Sequence, residues 1–129
     1  MDRFATLHKD LFEHHVDCLM NYKDFLKLFS KGSSDLIAQI DCLEDGDCLL
    51  HGDFHPANIM VDSNNQPVLI DMMNVCRGPT IYDVSRTYFL LEGNKTLQAN
   101  YLELMGYQEK DIIPYLRVIS QIRETEENT

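Results

Sequence analysis

Leu50-His51-Gly52-Asp53-Phe54-His55-Pro56-Ala57-Asn58-Ile59, followed by Val68-Leu69-Ile70-Asp71, decides the reading of this chain. It sets three oxygen-bearing side chains, Asp53, Asn58 and Asp71, around two short apolar runs. Ile59-Met60-Val61 and Pro67-Val68-Leu69-Ile70 flank Asp62-Ser63-Asn64-Asn65-Gln66, the pattern of a β-hairpin with an Asn-rich turn. Such a hairpin brings Asn58 and Asp71, just outside its two strands, close enough to share one cation. Pro56 argues against helix through the loop before it.

Phosphoryl transfer needs an oriented acceptor hydroxyl, a place for its proton, and neutralised phosphate charge. Asp53 suits the first two tasks. Asn58, with a carbonyl oxygen, and Asp71, with a carboxylate, suit the third, because Mg²⁺ prefers oxygen ligands. Each residue also has a plainer reading. Asp53 would satisfy turn amides, Asn58 would be a turn residue before a strand, and Asp71 would cap a strand end. The three together, in this order, favour the chemical reading.

His51 and His55 alternate with Asp53, so an extended segment would point all three one way, as a metal face. That reading gives a metal-dependent phosphoesterase. Such enzymes need further ligand motifs, and no His follows His55. The favoured role for His51 is packing and hydrogen bonding within the loop, with His55 bracing it. Asp83 near the start of a helix is either an N-terminal cap or a carboxylate that orients the Asp53 loop or pairs with Arg86. Arg77 either reaches a phosphate or faces solvent from a loop.

Outward from this centre the chain reads as helix. Phe4, Leu7, Leu11 and Phe12, then Val16, Leu19 and Met20, then Tyr22, Phe25, Leu26 and Phe29 keep helical spacing. The span from Phe4 to Phe29 is long, with room for a break between Val16 and Asp24. Lys31-Gly32-Ser33-Ser34 stops it. Ser34 or Asp35 caps a second helix carrying Leu36, Ile37, Ile40 and Leu43. Cys48-Leu49-Leu50 is a short buried strand, and Arg77-Gly78-Pro79-Thr80 a loop. Tyr82 to Leu91, Thr96 to Leu104 (stopped by Gly106) and Ile112 to Ile122 complete the helices, and the polar tail from Glu124 frays.

The 129 residues, 44% hydrophobic, suit one domain with one modest core. A formal net charge of −10 argues against nucleic acid, which needs a basic stripe. It suits plain solubility, and equally a cationic, amine-bearing acceptor. No apolar run approaches a membrane span, and Met1-Asp2-Arg3-Phe4 lacks the pattern of a signal peptide. A cytoplasmic location is therefore expected. Cys18, Cys42, Cys48 and Cys76 form no C-x-x-C pair, so reduced thiols are expected rather than disulfides or a zinc site.

Residues 50–59, Leu69-Ile70-Asp71 and Tyr82-Asp83-Val84-Ser85-Arg86-Thr87 together resemble the aminoglycoside phosphotransferase/choline kinase-like kinases. The Asp53–Asn58 spacing is also that of a protein-kinase catalytic loop. Phe4-Ala5-Thr6-Leu7-His8 is similar to the family's helix just past the hinge. The resemblance implies a kinase-like fold and transfer of the γ-phosphoryl group of ATP or GTP to a small-molecule hydroxyl. It implies Asp53 as catalytic base, Asn58 and Asp71 as Mg²⁺ ligands, and Asp83 as a support below the loop. Ala57 stands where many members have Gly, and Met72 where many have Trp or Phe.

Family members are bilobal, and their first lobe supplies a nucleotide-covering strand pair and a phosphate-binding Lys. This sequence has no Gly-x-Gly segment, no strand pattern before Cys48 and no Lys in a V-A-I-K-like strand. The expectation is an α+β, mainly helical domain over residues 1–129. It is the C-terminal lobe of a protein-kinase-like fold, with a small β-hairpin carrying the catalytic and metal-binding loops. The N-terminal lobe is absent from it and comes in cis or in trans, and the chain alone turns over little or not at all. The competing expectation is a non-catalytic kinase-like binding or assembly module. Apolar area that the first lobe would cover invites a homodimer.

Overall fold

The Phe4–Phe29 helical pattern divides in two. In the computed structural model, helix α1 runs Asp2–Phe12 and α2 runs Tyr22–Lys27. The structure describes residues 2–15, 18–56, 59–61, 63–64, 67–69 and 74–127, with backbone alone for 59–61, 67–69 and 126–127. The break begins earlier than the expected Val16, and its cause is a hydrogen-bonding demand elsewhere. Strands β1 (Cys48–Leu50) and β4 (Cys76–Gly78) pair antiparallel, with Leu49 opposite Arg77. Their outer edges need partners. The segment between α1 and α2 supplies them: the Leu49 amide donates to the His14 carbonyl at 2.8 Å and the Arg77 amide to the Met20 carbonyl at 3.0 Å. Asn21 then caps α2 by accepting from the Lys23 amide.

Strand β4 corrects the expected Arg77–Thr80 loop. Its pairing with β1 is distant in sequence, and no local pattern announces it. A Cβ at Gly78 would lie 2.6 Å from the Tyr22 ring, so this strand's approach to α2 requires glycine. Arg77 neither faces phosphate from a loop nor points free: its Nε donates to the Leu19 carbonyl at 2.8 Å. Strands β2 (Ile59–Val61) and β3 (Pro67–Leu69) form the expected antiparallel hairpin, with Ile59 opposite Leu69.

Helix α3 (Ser34–Asp41) is capped by Ser33, one position before the expected residues, through its hydroxyl and the Leu36 amide. Helix α4 (Thr80–Leu90) starts two residues early, directly after Pro79. Helix α5 (Lys95–Met105) is capped by Asn94 and ended by Gly106 at φ +84°. Helix α6 (Glu109–Glu127) runs through the tail expected to fray from Glu124. Thr125 back-bonds to the Gln121 carbonyl and its own carbonyl receives Lys31 Nζ, which ties this end to the loop after α2.

Helix α4 is the centre of the packing, lying against α5, α6 and β1, while α1 packs on α5 and β1. Tyr22, Ile40, Leu50, Phe54, Cys76, Val84, Tyr101, Ile112 and Val118 are the most enclosed apolar side chains. The exposed large hydrophobics among the described residues, Met20, Leu28 and Ile113, lie outside α1. No described helix is long and apolar enough to cross a membrane. All four cysteines are free thiols.

Candidate functional site

Strand β1 ends at the fully buried Leu50 and delivers the chain into the His51–His55 turn. Gly52 makes the turn at φ +82°. That left-handed backbone suits glycine, and a Cβ here would stand 2.5 Å from the Asn74 carbonyl oxygen. The segment is therefore bent, which removes the extended geometry that the phosphoesterase reading needed. His51 is fully enclosed, whereas Asp53 and His55 are partly open. Among the described residues, the metal-capable cluster is His15, Asp47 and Cys48, largely at the surface, and it includes no residue of this turn.

Asp83 lies in the first turn of α4 but caps nothing there; the cap position is Pro79, with no side-chain bond. Instead its carboxylate reaches under the turn. Oδ1 accepts from the Gly52 amide at 2.8 Å, and Oδ2 accepts from the His51 amide at 3.0 Å. Oδ2 also meets His8 Nε2 at 2.8 Å. An ionised carboxylate only accepts, so the His8 Nε2 proton is the donor. His8 Nδ1 faces the Tyr101 hydroxyl at 2.6 Å. Asp83 and His8 are both fully buried. Its partner is thus His8 on α1 rather than Arg86.

Burial alone would disfavour the Asp83 charge. The His8 hydrogen bond and charge, with the Gly52 and His51 amides, outweigh it and hold the carboxyl below its ordinary range. Burial, reinforced by the Asp83 charge, pushes the Tyr101 hydroxyl up, so it keeps its proton. No buried side-chain nitrogen or oxygen among the described residues lacks a hydrogen-bond partner. A network satisfied to this degree fixes one arrangement of the turn.

Phe54 supplies the apolar half of the same anchor. Its ring stacks on His8 with centroids 3.9 Å apart and lies 4.8 Å from Phe4. The Phe54 carbonyl accepts from the Thr87 hydroxyl at 2.6 Å, one turn of α4 beyond Asp83. The alternation of the turn therefore sends Phe54 into the core and leaves Asp53 at the surface side.

Asp53 is held from two directions. Its amide donates to His51 Nδ1 at 3.2 Å, which places the His51 proton on Nε2. One carboxylate oxygen lies 3.8 Å from an Arg86 terminal nitrogen, with both side chains about four-fifths enclosed. Arg86 Nε donates to the Gly52 carbonyl at 3.2 Å, so one guanidinium spans the turn's backbone and its acid. Asn58 and Asp71 lie outside the described residues. The Ile59–Leu69 pairing puts the start of β2 and the end of β3 at one end of the hairpin, and these two residues precede and follow them in sequence.

His8 and Tyr101 are parts of this site that site-directed reading of the sequence missed. His8 carried a signal: it sits between Leu7 and Leu11 on an amphipathic helix, and it shares the buried side with Ala5. A histidine on an apolar face needs a polar partner, and an acidic residue buried elsewhere is the natural one. Tyr101 carried no comparable signal.

The family model described as the phosphotransferase enzyme family matches residues 33–111, well over half of the chain. Among solved structures, the choline kinase LicA from Streptococcus pneumoniae is similar at a TM-score of 0.54 and 15% identity. The match covers 97% of this chain and 45% of that one, so the chain spans less than half the length of that kinase. LicA in complex with AMP is similar at a TM-score of 0.53 and 15% identity, covering 98% and 44%. At such identity the likeness concerns the fold. No curated protein matches the chain significantly.

Proposed function

The chain belongs to the phosphotransferase enzyme family, and from that premise we propose that it forms the catalytic lobe of a small-molecule kinase. The donor is ATP or GTP and the acceptor an alcohol hydroxyl. The observation that carries the reading is the turn at Asp53. Its backbone is clamped from below by Asp83, and its carboxylate is left partly open above.

Asp53 orients the acceptor hydroxyl and takes its proton as the oxygen attacks the γ-phosphorus, while the bond from that phosphorus to the β–γ bridging oxygen breaks and the nucleoside diphosphate leaves. The Gly52 and His51 amides, tied to Asp83, stop the carboxylate from drifting. Positioning of this kind supplies much of the rate in phosphoryl transfer. The Arg86 guanidinium lies 3.8 Å from the Asp53 carboxylate and faces the same space. Asn58 and Asp71 offer the oxygen donors that Mg²⁺ prefers, and they are the residues that would hold it. Held there, Mg²⁺ would supply the charge neutralisation that the transferring phosphates need. His51 and His55 brace the turn.

The rest of the nucleotide pocket comes from a second lobe, in cis or in trans, and the chain alone turns over little. The test uses the full-length gene product, a panel of alcohols, and both nucleotides with Mg²⁺. Asp53→Ala abolishes transfer while nucleotide still binds. Asp71→Ala weakens binding of the Mg²⁺–nucleotide itself. Undiminished turnover in the Asp53 variant overturns the assignment. Nucleotide-independent hydrolysis of a phosphoester would return the phosphoesterase reading.

A further inference from the structure

A cavity of about 70 Å³ opens beside the Asp53 turn, between α2, α4 and α6. Phe25 of α2, Phe29 just beyond it, Tyr82 and Arg86 of α4, Arg123 of α6 and Asn74 line it. We propose that this cavity anchors a negatively charged group of the acceptor, a carboxylate or a phosphate. The inference rests on the kinase reading of the neighbouring turn and names the class of molecule it serves.

Local charge carries the argument. The chain has 21 acidic against 11 basic side chains. Among the described residues lining this cavity, two are arginines and none is acidic. Both guanidiniums lie against one ring, Arg86 at 5.9 Å and Arg123 at 5.8 Å from the Phe89 centroid. Each guanidinium carries planar N–H donors of the kind that suit an anion's oxygens. An ammonium group would want carboxylates or open aromatic faces. The two phenylalanines instead pack edge-to-face on each other, with centroids 5.3 Å apart. The acidic surface favours cations in the surrounding solvent, and the cavity reverses that preference.

Size and position agree with an anchor. A cavity of roughly 150 Å³ takes a benzene ring, so this one takes a head group and leaves the remainder of the molecule outside. Arg86 joins the two places, because the guanidinium that lines the cavity also lies 3.8 Å from Asp53. An acceptor held by its charged end would present a nearby hydroxyl to that carboxylate.

The test measures binding to the full chain by calorimetry at low salt, without nucleotide. The probes are benzoate, phenyl phosphate and benzyltrimethylammonium. The two anions bind and the ammonium does not. Arg123→Gln, an exposed position whose variant folds normally by circular dichroism, weakens the anions at least tenfold, and Arg123→Lys restores part of the loss. Equal binding of the ammonium overturns the proposal, as does an anion affinity indifferent to Arg123→Gln. Competitive displacement by AMP also overturns it, since the arginines would then serve the nucleotide. Failures of the two readings separate cleanly. Anion binding through Arg123 without phosphoryl transfer sinks the kinase reading and leaves the pocket. Transfer to ammonium-bearing alcohols in preference to anionic ones does the reverse.

Discussion

The Asp53 turn has a rear and a front, and they are built differently. Behind it, Asp83, His8, Tyr101, Thr87 and Phe54 are almost wholly buried, and their polar groups bond one another or the turn's backbone. In front, Asp53 and Arg86 keep about a fifth of their side-chain surface in water and meet at 3.8 Å, longer than a hydrogen bond. The rear is committed to one geometry. The front keeps groups within reach of a ligand. A catalytic carboxylate needs both, because its backbone must not move and its oxygens must remain available.

The largest effect should follow from removing the rear acceptor. Asp83→Ala strands two buried amides and His8, and is expected to cost roughly 3–5 kcal/mol in urea unfolding. Next, Gly52→Ala forces a left-handed backbone on alanine and drives its Cβ toward the Asn74 carbonyl. About 2–3 kcal/mol is expected by the same measurement, with transfer lost because the turn itself shifts. His8→Phe keeps volume and stacking on Phe54 but removes a donor to Asp83 and the partner of Tyr101. It should cost about 1–2 kcal/mol, which thermal unfolding would register.

Acid titration sharpens the contrast without mutation. The folded carboxyl of Asp83 lies below its unfolded value of 3.8. Its stabilisation is therefore complete above that pH and is lost as pH falls through the lower folded value. In Asp83→Asn this acid limb should flatten, as seen by unfolding midpoints between pH 5 and pH 2. Smallest of all, Asn94→Ala removes the α5 cap, far from the turn. A loss of about 1 kcal/mol is expected, with ligand binding unchanged.

What the sequence disclosed depended on how local the determinant was. The β2–β3 hairpin was legible because its strands, turn residues and pairing all lie between Ile59 and Leu69. Helices α3, α4 and α5 were legible from periodicity, to within a residue or two of their ends. Strand β4 was not, because Cys76-Arg77-Gly78 has no strand pattern and exists by pairing with β1. The early end of α1 had the same origin, in amides of β1 and β4 that needed acceptors. At the site, Asp83's two sequence readings were separated only by the fold. Its place in the first turn of α4 suggested a cap, yet its partners come from α1 and the Asp53 turn. The charge of the cavity was hidden for a related reason: Arg86 and Arg123 are 37 positions apart in sequence, and only the fold brings both near the Phe89 ring.

The proposed phosphoryl transfer requires a single arrangement, in which Asp53 faces the phosphoryl group while Asn58 and Asp71 hold the metal. A crystal structure of the full-length gene product with Mg²⁺ and a non-hydrolysable ATP analogue examines it most directly. The predicted result is Mg²⁺ within about 2.1 Å of oxygens from both Asn58 and Asp71, with the Asp53 carboxylate turned toward the γ-phosphate. A metal bound instead by His51 or His55, or Asn58 and Asp71 facing different regions with no nucleotide between them, would contradict it.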